Sequence, residues 1–269
     1  MYTILDKKEI APNLKQYVIH APLAARNAEP GQFVILRVTP EGERIPLTIS
    51  DFDKEKGTVT LIVQEVGFTT RLMNTKNVGD SIADLAGPLG KATEYYENVK
   101  SVLCIGGGVG TAVLFPQVKM LHSRDVDVDV IIGGRSKEYV ILEDELRKFS
   151  RNVYVTTDDG SYGAKGLVTD IMVKLIEQDK VKYDVILAVG PLIMMKVVSD
   201  ITRKYGIKTI VSMNPIMIDG TGMCGGCRVS VGGEVKYACV DGPDFDGHLI
   251  DFDEAMKRQA TYKAEEKRM

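Results

Sequence analysis

Three of the four cysteines fall in one short Gly-rich stretch, Asp219-Gly-Thr-Gly-Met-Cys224-Gly-Gly-Cys227 followed by Cys239, and this spacing restricts the fold more than any other feature. Thiolates are soft anionic donors suited to iron–sulfur clusters or zinc, and two of them two residues apart can grip one metal from a single tight turn. Gly220, Gly222, Gly225 and Gly226 permit that turn. Without side chains they reach positive φ and let amide N–H groups face the sulfurs.

The complete pattern is Asp-x4-Cys-x2-Cys-x11-Cys. It matches the C-x4-C-x2-C…C spacing of plant-type [2Fe-2S] sites with Asp219 in place of the first cysteine, so the reading is a [2Fe-2S] centre on Asp219, Cys224, Cys227 and Cys239. A carboxylate is harder and less covalent than a thiolate, and it can be protonated. Zinc is the alternative, with Asp219 or His248 as fourth ligand. A disulfide is the other, although nothing marks the chain as exported. Cys104, inside the apolar run Val102-Leu-Cys-Ile105, reads as a small buried strand residue.

A length of 269 residues suggests about two domains and an appendage. The net charge of −3 and the absence of a basic stripe argue against nucleic acid. Neither a long apolar run nor a basic leader with an apolar core is present, so the expectation is a cytoplasmic protein with no membrane segment.

The first part is strand-like. Residues 16–20, 32–38 and 58–66 are β-rich, and Pro30-Gly31, Pro40-Glu-Gly42, Lys56-Gly57 and Gly87-Pro-Leu-Gly90 punctuate them. Many short strands without a long helix predict an antiparallel β-barrel over 1–98. From about Val99 the rhythm changes to alternating strands and helices. Strands are predicted at 101–105, 127–132, 152–156, 184–189 and 208–211, and helices at 109–123, 167–178 and 193–205, which together predict an α/β doubly wound parallel-sheet domain over 99–211. A cluster subdomain at 212–250 and a charged C-terminal helix or tail at 251–269 complete the division.

Gly106-Gly-Gly-Val-Gly-Thr111 follows a strand and opens a helix, the context that a pyrophosphate cradle needs; a tight turn with no ligand is the alternative. Two later loops, Thr156-Thr-Asp-Asp-Gly160 and Gly190-Pro191, fall at strand ends, along the edge where open α/β sheets bind ligands. Asp158 and Asp159 suit a ribose 2′-hydroxyl and repel a 2′-phosphate, whereas Arg135 and Lys137 act in the opposite sense; the balance leans to NAD(H). In the barrel, Arg44-Ile-Pro-Leu-Thr48 and Gly67-Phe-Thr-Thr70 can serve phosphate and flavin contacts or be plain strand and turn residues. His20, His122 and His248 belong to no catalytic motif and read as structural or surface residues; no acid–base catalytic residue is assigned.

The ordered set Pro30-Gly-Gln-Phe33, Pro46-Leu-Thr48, Gly87-Pro-Leu-Gly90, Gly106-Gly-Gly-Val-Gly110, Asp158-Asp-Gly-Ser161 and the cysteine loop resembles the ferredoxin reductase-type flavoproteins. Within them it is similar to the branch holding the electron-transfer subunits of dihydroorotate dehydrogenase and the small (alpha) subunits of NADH-dependent reduced ferredoxin:NADP⁺ oxidoreductases, also called sulfide dehydrogenases. The likeness runs over nearly the whole chain. Asp219 in place of cysteine, with Met213-Asn-Pro-Ile-Met217, points to the second group. Two departures stand out. Ile45 holds the slot where the family usually has arginine, with Arg44 one residue earlier, and Val113 stands where the dihydroorotate group often has proline.

The resemblance implies FAD held by Arg44, Pro46, Leu47, Thr48, Val63, Gln64, Gly67, Thr69 and Thr70. It implies NAD(H) on Gly106, Gly107, Gly108, Gly110, Thr111, Arg135, Asp158, Asp159, Gly190 and Pro191, and the cluster on Asp219, Cys224, Cys227 and Cys239. It also implies an electron relay with a large subunit carrying FAD and [4Fe-4S] clusters in a heterodimer, where ferredoxin and NADP(H) react, and hence electron bifurcation. The partner surface is expected near the cysteine loop, including Phe245, Leu249 and Ile250, which can equally be satellite core. The rival implication is the electron-transfer subunit of an NAD-dependent dihydroorotate dehydrogenase, and a non-catalytic redox sensor is the third.

Overall fold

The computed structural model describes residues 2–95 and 98–261, so the predicted tail beyond 261 lies outside the described residues. The chain forms two units, one of Met1–Thr93, Met213–Pro243 and Asp253–Met269 and one of Glu94–Ser212 and Asp244–Phe252.

The first unit opens with β1 (Tyr2–Ala11), β2 (Leu14–His20), α1 (Pro22–Asn27), β3 (Phe33–Arg37), β4 (Arg44–Asp53), β5 (Thr58–Gln64), α2 (Phe68–Asn74), β6 (Ser81–Ile82) and β7 (Asp84–Leu89). The strands lie in the order β6-β1-β2-β5-β4-β3-β7, every neighbouring pair antiparallel. Only Ala83 separates the two edge strands β6 and β7 along the chain, and its N–H donates to the Val38 carbonyl at 3.3 Å. The chain itself thus joins the two edges, as the predicted barrel requires. Period-two alternation fills the interior with Ile4, Tyr17, Ile19, Val34, Leu36, Ile49, Val59, Leu61 and Ile82. Met73 of α2 and the alanines of α1 complete this core.

The second unit begins with β8 (Ser101–Gly107), α3 (Gly110–Ser123), β9 (Asp127–Gly134), α4 (Glu143–Arg147), β10 (Asn152–Thr157), β11 (Ala164–Lys165) and α5 (Val168–Val173). A π-helical turn, Lys174–Gln178, extends α5; β12 (Val185–Val189), α6 (Leu192–Tyr205) and β13 (Lys208–Ser212) come after it. Beyond them the first unit receives the hairpin β14 (Arg228–Val231) and β15 (Glu234–Tyr237), the second receives β16 (Asp244–Asp246), and α7 (Phe252–Gln259) ends the described chain. The second sheet runs β11-β10-β9-β8-β12-β13-β16 and is parallel up to β13. A wholly parallel sheet is expected from the sequence. The structure adds β16 antiparallel to β13, with Val211 opposite Phe245. A short strand of three residues can pair there because no crossover helix is needed for an antiparallel edge.

The central strands are buried on both faces, which explains their unbroken apolar runs: every residue of Val185–Val189 is buried. Cys104 lies in this core with no exposure, as its apolar surroundings predict, and burial pushes its thiol far up. α6 starts after Pro191, stops at Gly206 with φ of +65°, and buries Leu192, Met195, Val198 and Thr202 along one stripe. Phe245 pairs in the sheet, Ile250 is buried and Leu249 is half exposed. No helix among the described residues is long and apolar enough to cross a membrane.

At the amino-terminal end of β9, opposite the glycine loop, Asp129 is almost fully buried. Arg151 donates to both its oxygens at 3.1 and 2.7 Å, Tyr183 donates at 2.7 Å and Asn152 at 3.0 Å. Burial works to raise this carboxyl, and the donors outweigh it and hold it below the ordinary range. A group held low contributes stability above its unfolded pKa and loses it as pH falls through the folded value. Asp129→Ala leaves the buried Tyr183 hydroxyl without its acceptor and frees the exposed Arg151 and Asn152 to solvent, and is expected to cost about 1–3 kcal/mol at neutral pH. The difference should shrink below about pH 4 as the wild-type carboxyl protonates. Urea midpoints of both proteins across pH 3–7 check this, and equal midpoints at neutral pH would refute it.

Candidate functional site

The cysteine loop leaves β13, passes Met213, whose N–H donates to the Pro243 carbonyl at 2.9 Å, and turns back through the β14–β15 hairpin. Gly220 has φ of +74° and sits against the barrel, where a Cβ would come within 2.8 Å of Ile35 and Leu89. That contact explains why the loop begins with Asp-Gly. Asp219 then organises the residues up to Cys224: its Oδ1 accepts from the Thr221 amide at 2.9 Å and its Oδ2 from the Cys224 amide at 2.8 Å. The Thr221 amide first, and the Cys224 contacts after burial's opposing effect, hold its carboxyl below the ordinary range.

Cys227 and Cys239 are buried with Sγ atoms 3.1 Å apart, and all four cysteines are free thiols. Burial, then the neighbouring thiol, pushes Cys239 up to about 12. Burial thus favours the neutral Cys239 thiol, and a bound cation reverses that preference because it binds thiolates. Cys224 is exposed, and its Sγ accepts from the Gly226 amide at 3.4 Å. Two of the four predicted ligands are thus side by side, with Asp219 and Cys224 joined by a hydrogen bond on the same loop. Among the described residues no three His, Cys, Asp or Glu side chains converge on a metal-sized position. The donor set still suits an iron–sulfur centre, since three thiols and a carboxylate share one loop and hairpin and hydrogen-bonded carboxylates remain good ligands. His248 is engaged elsewhere, with Nε2 3.0 Å from Thr202 Oγ1.

Two arginines missed in the sequence touch this loop. Arg258 of α7 donates to the Gly226 carbonyl at 3.1 Å, and Arg228 of β14 lies 3.4 Å from the Gly225 carbonyl. Arginine reaching a turn carbonyl from a distant helix leaves no local pattern that a sequence could reveal.

On the second unit, the glycine loop joins β8 to α3. A Cβ at Gly110 would run into the Val189 carbonyl oxygen, and one at Gly107 would come within 2.6 Å of Met194 and 3.1 Å of Pro191. Gly190 approaches the Gly107 Cα to 3.2 Å measured from its own Cβ position, so Gly106–Thr111 and Gly190–Pro191 form one rim. Gly108 has φ of +57°, and its N–H donates to the Gly133 carbonyl at 2.8 Å. Thr111 is fully buried, and its Oγ1 has no hydrogen-bond partner among the described residues. An orphaned hydroxyl at the start of a fourteen-residue helix fits a phosphate oxygen as its missing partner.

The ends of β9 and β10 are tied together. Asp158 N–H donates to Gly134 and Asp159 N–H to Arg135, at 3.0 and 3.2 Å; the Lys137 amide donates to Ser161 Oγ at 2.9 Å. Asp159 Oδ1 accepts from the Ser161 amide at 2.9 Å, and the Ser161 hydroxyl first and this amide second hold its carboxyl low. Arg135 and the two aspartates therefore share one double loop, and Lys137 lies over the Tyr162 ring at 5.3 Å.

In the barrel, Pro46 and Thr48 of β4 pair with Ile35 and Phe33 of β3, and Arg44 pairs with Arg37. Val63 is buried while Gln64 is exposed at the end of β5. Thr70 is a capping residue: its Oγ1 accepts from the Val66 and Gly67 amides at 3.0 Å each and donates to the Gly67 carbonyl. Thr69 is buried and donates to Glu43 Oε2 at 2.7 Å, a partner that sequence reasoning did not name.

The chain is similar to several known proteins. Residues 214–251 match the iron-sulfur cluster binding domain of dihydroorotate dehydrogenase B. A Thermotoga maritima protein described as a dihydroorotate dehydrogenase B (NAD(+)) electron transfer subunit homolog is 47% identical, covering 98% of this chain and 92% of its own. The corresponding electron transfer subunit of Geobacillus thermodenitrificans is 34% identical over 90% of this chain and 95% of its own. Among solved structures, a chain of the NADH-dependent reduced ferredoxin-NADP oxidoreductase is 46% identical with a TM-score of 0.93, covering 99% of this chain and 95% of that one.

The glycine loop gives a direct test of the rim. Gly110→Ala should destabilise the second unit by about 1–3 kcal/mol through overpacking. Gly108→Ala should cost about 1–2 kcal/mol, from left-handed backbone alone, because nothing lies within reach of its Cβ. Denaturant midpoints and NADH titration separate them: Gly110→Ala is expected to lose NADH binding as well, and equal behaviour of the two variants would contradict the close approach.

Proposed function

The chain belongs to the family of dihydroorotate dehydrogenase B electron-transfer subunits, an oxidoreductase family, and from that premise we propose that it is the small subunit of a bifurcating NADH-dependent reduced ferredoxin:NADP⁺ oxidoreductase. The observation that carries this reading is the likeness to a chain of that oxidoreductase over 99% of the sequence. Asp219 in place of a cysteine supports the same branch.

In this reading the two units hold different cofactors. Gly106, Gly107, Gly108 and Gly110 present backbone to a dinucleotide pyrophosphate, Thr111 supplies its buried hydroxyl, and Gly190 and Pro191 close the rim. Asp158 and Asp159 take the ribose hydroxyls of NAD(H) beside Arg135. The barrel segments Arg44–Thr48, Val63–Gln64 and Gly67–Thr70 cradle FAD. Thr70 acts there by fixing the turn, because its hydroxyl is already committed to backbone. Thr69 must release Glu43 before its hydroxyl can serve a phosphate. Asp219, Cys224, Cys227 and Cys239 hold a [2Fe-2S] cluster. When bound, FAD supplies the conversion of a hydride into single electrons and the cluster their one-at-a-time passage. The chain's own residues position these groups, exclude water from Cys227 and Cys239, and set local charge.

One cluster and one hydride acceptor need a destination for the electrons. The partner in this reading is a large subunit with FAD and [4Fe-4S] clusters, where ferredoxin and NADP(H) react, and the heterodimer works in the cytoplasm. The second reading, electron transfer to NAD⁺ from dihydroorotate, is favoured by the match at residues 214–251.

Anaerobic turnover of the purified complex distinguishes the two. NADPH-driven ferredoxin reduction that requires NAD⁺ is expected, and orotate formation without it would overturn the choice. The ligand assignment has its own check in Asp219→Ala and Asp219→Cys. Ala is expected to lose cluster iron and Cys to keep it with an altered electron paramagnetic resonance signal, whereas unchanged spectra in both would remove Asp219 from the iron.

A further inference from the structure

Three peptide units link Cys224 to Cys227, and a guanidinium stands on the carbonyl of each of the last two, Gly225–Gly226 and Gly226–Cys227. Arg228 Nη1 lies 3.4 Å from the Gly225 oxygen and Arg258 Nη2 lies 3.1 Å from the Gly226 oxygen. The N–H of the Gly225–Gly226 unit, on Gly226, points the other way and donates to Cys224 Sγ at 3.4 Å. One end of this peptide thus faces a cation while the other faces a predicted ligand sulfur. A planar peptide transmits such polarisation: a cation at the oxygen draws electron density from the nitrogen and strengthens the N–H as a donor.

The two arginines reach the turn from different elements. Arg228 opens β14, directly after Cys227, and cannot avoid the neighbourhood. Arg258 comes from α7, some thirty positions further on, and is seated by a second contact between Ser230 of β14 and Glu254 one helical turn earlier. α7 is therefore docked on the cluster hairpin through both Glu254 and Arg258, and Arg258 is half-buried there.

We propose that Arg258 and Arg228 are positioning residues that act through the Gly225 and Gly226 carbonyls to orient the Cys224–Cys227 turn and raise the reduction potential of the cluster held on it. This rests on the proposed [2Fe-2S] assignment and adds what tunes it. A thiolate- and carboxylate-ligated cluster becomes one charge more negative on taking an electron, so nearby cations and stronger N–H donors to its sulfurs favour the reduced form. Neutral replacements remove that preference. Lysine keeps the charge but lacks the planar fork that addresses a carbonyl while packing along the helix.

The test uses the full-length chain in its purified complex, with Arg228→Gln, Arg258→Gln, the double variant and Arg258→Lys. Iron and sulfide content are measured first, then the cluster's one-electron potential by titration monitored through its paramagnetic signal. Each Gln variant is expected to disfavour the reduced cluster, the double variant most, up to about tenfold in the reduction equilibrium, which is about 59 mV for one electron. Lys is expected to recover part of the loss. Unchanged potentials in both Gln variants and in the double, with iron intact, would overturn the proposal. Should Arg258→Gln lose its iron, restoration of iron and of a near wild-type potential in Arg258→Lys supports it, and failure of Lys to restore either overturns it. A wild-type protein without iron and sulfide would instead sink the cluster reading itself, so the two failures are distinguishable.

Discussion

The rim of the second unit depends on a single steric fact: the first turn of α3 lies so close to the end of β12 that no side chain fits between them. Gly110 against the Val189 carbonyl, Gly107 against Pro191 and Met194, and Gly190 against Gly107 are three views of this approach. Because the backbones meet there, the edge of the sheet is lined by peptide groups rather than by side chains. The same approach buries Thr111 with its hydroxyl turned toward Gly106, where a Cβ would stand 2.7 Å from it. A hydroxyl in that position costs free energy until something accepts or donates to it. Steric demand and chemical provision are therefore the same arrangement seen from two sides.

The cysteine loop obeys another rule. Past Gly220, which packs on the barrel, its order comes from a carboxylate, since Asp219 ties the Thr221 and Cys224 amides while Cys224 itself stays exposed. The sulfurs of Cys227 and Cys239, by contrast, are placed by the β14–β15 hairpin and the residues that cover it; the Ala238 amide donates to the Cys227 carbonyl at 3.1 Å and so fixes the two cysteines' spacing. Half of the candidate ligand set is thus held rigidly and half is held by hydrogen bonds that a change in the loop can redistribute.

Much of this was legible because two kinds of signal are local. Apolar runs such as Val185–Val189 announce buried parallel strands, and glycine clusters announce turns that need positive φ or close approach. The strands 101–105, 127–132, 152–156 and 208–211 and the helices 109–123 and 193–205 accordingly recur in the structure within a few residues. Other elements carried weaker signals. β1 is rich in lysine and acid and shows little alternation, and β4 begins Arg-Ile-Pro, which reads as a turn as easily as an edge strand. The β14–β15 hairpin did have a signature in Val231-Gly-Gly-Glu234, a two-glycine turn between alternating residues, overshadowed by the cysteines beside it. Glu43 on Thr69, and Arg258 on Gly226, join residues far apart in the sequence, and no periodicity encodes such contacts.

Neither unit is a contiguous stretch of sequence: the chain passes from one to the other after Thr93, Ser212, Pro243 and Phe252. Covalent order and spatial order are interleaved, with the cysteine loop inserted between β13 and the strand that pairs with it. Cutting the chain after Ser212 would not cleanly excise the thiols. It would also strip β16 from β13 and leave a row of unpaired backbone groups on the edge of the other sheet. A shortened protein that no longer takes up dinucleotide would then be reporting a frayed sheet margin, and dissection of the two halves has to proceed by point substitution or by rejoining the ends in a new order.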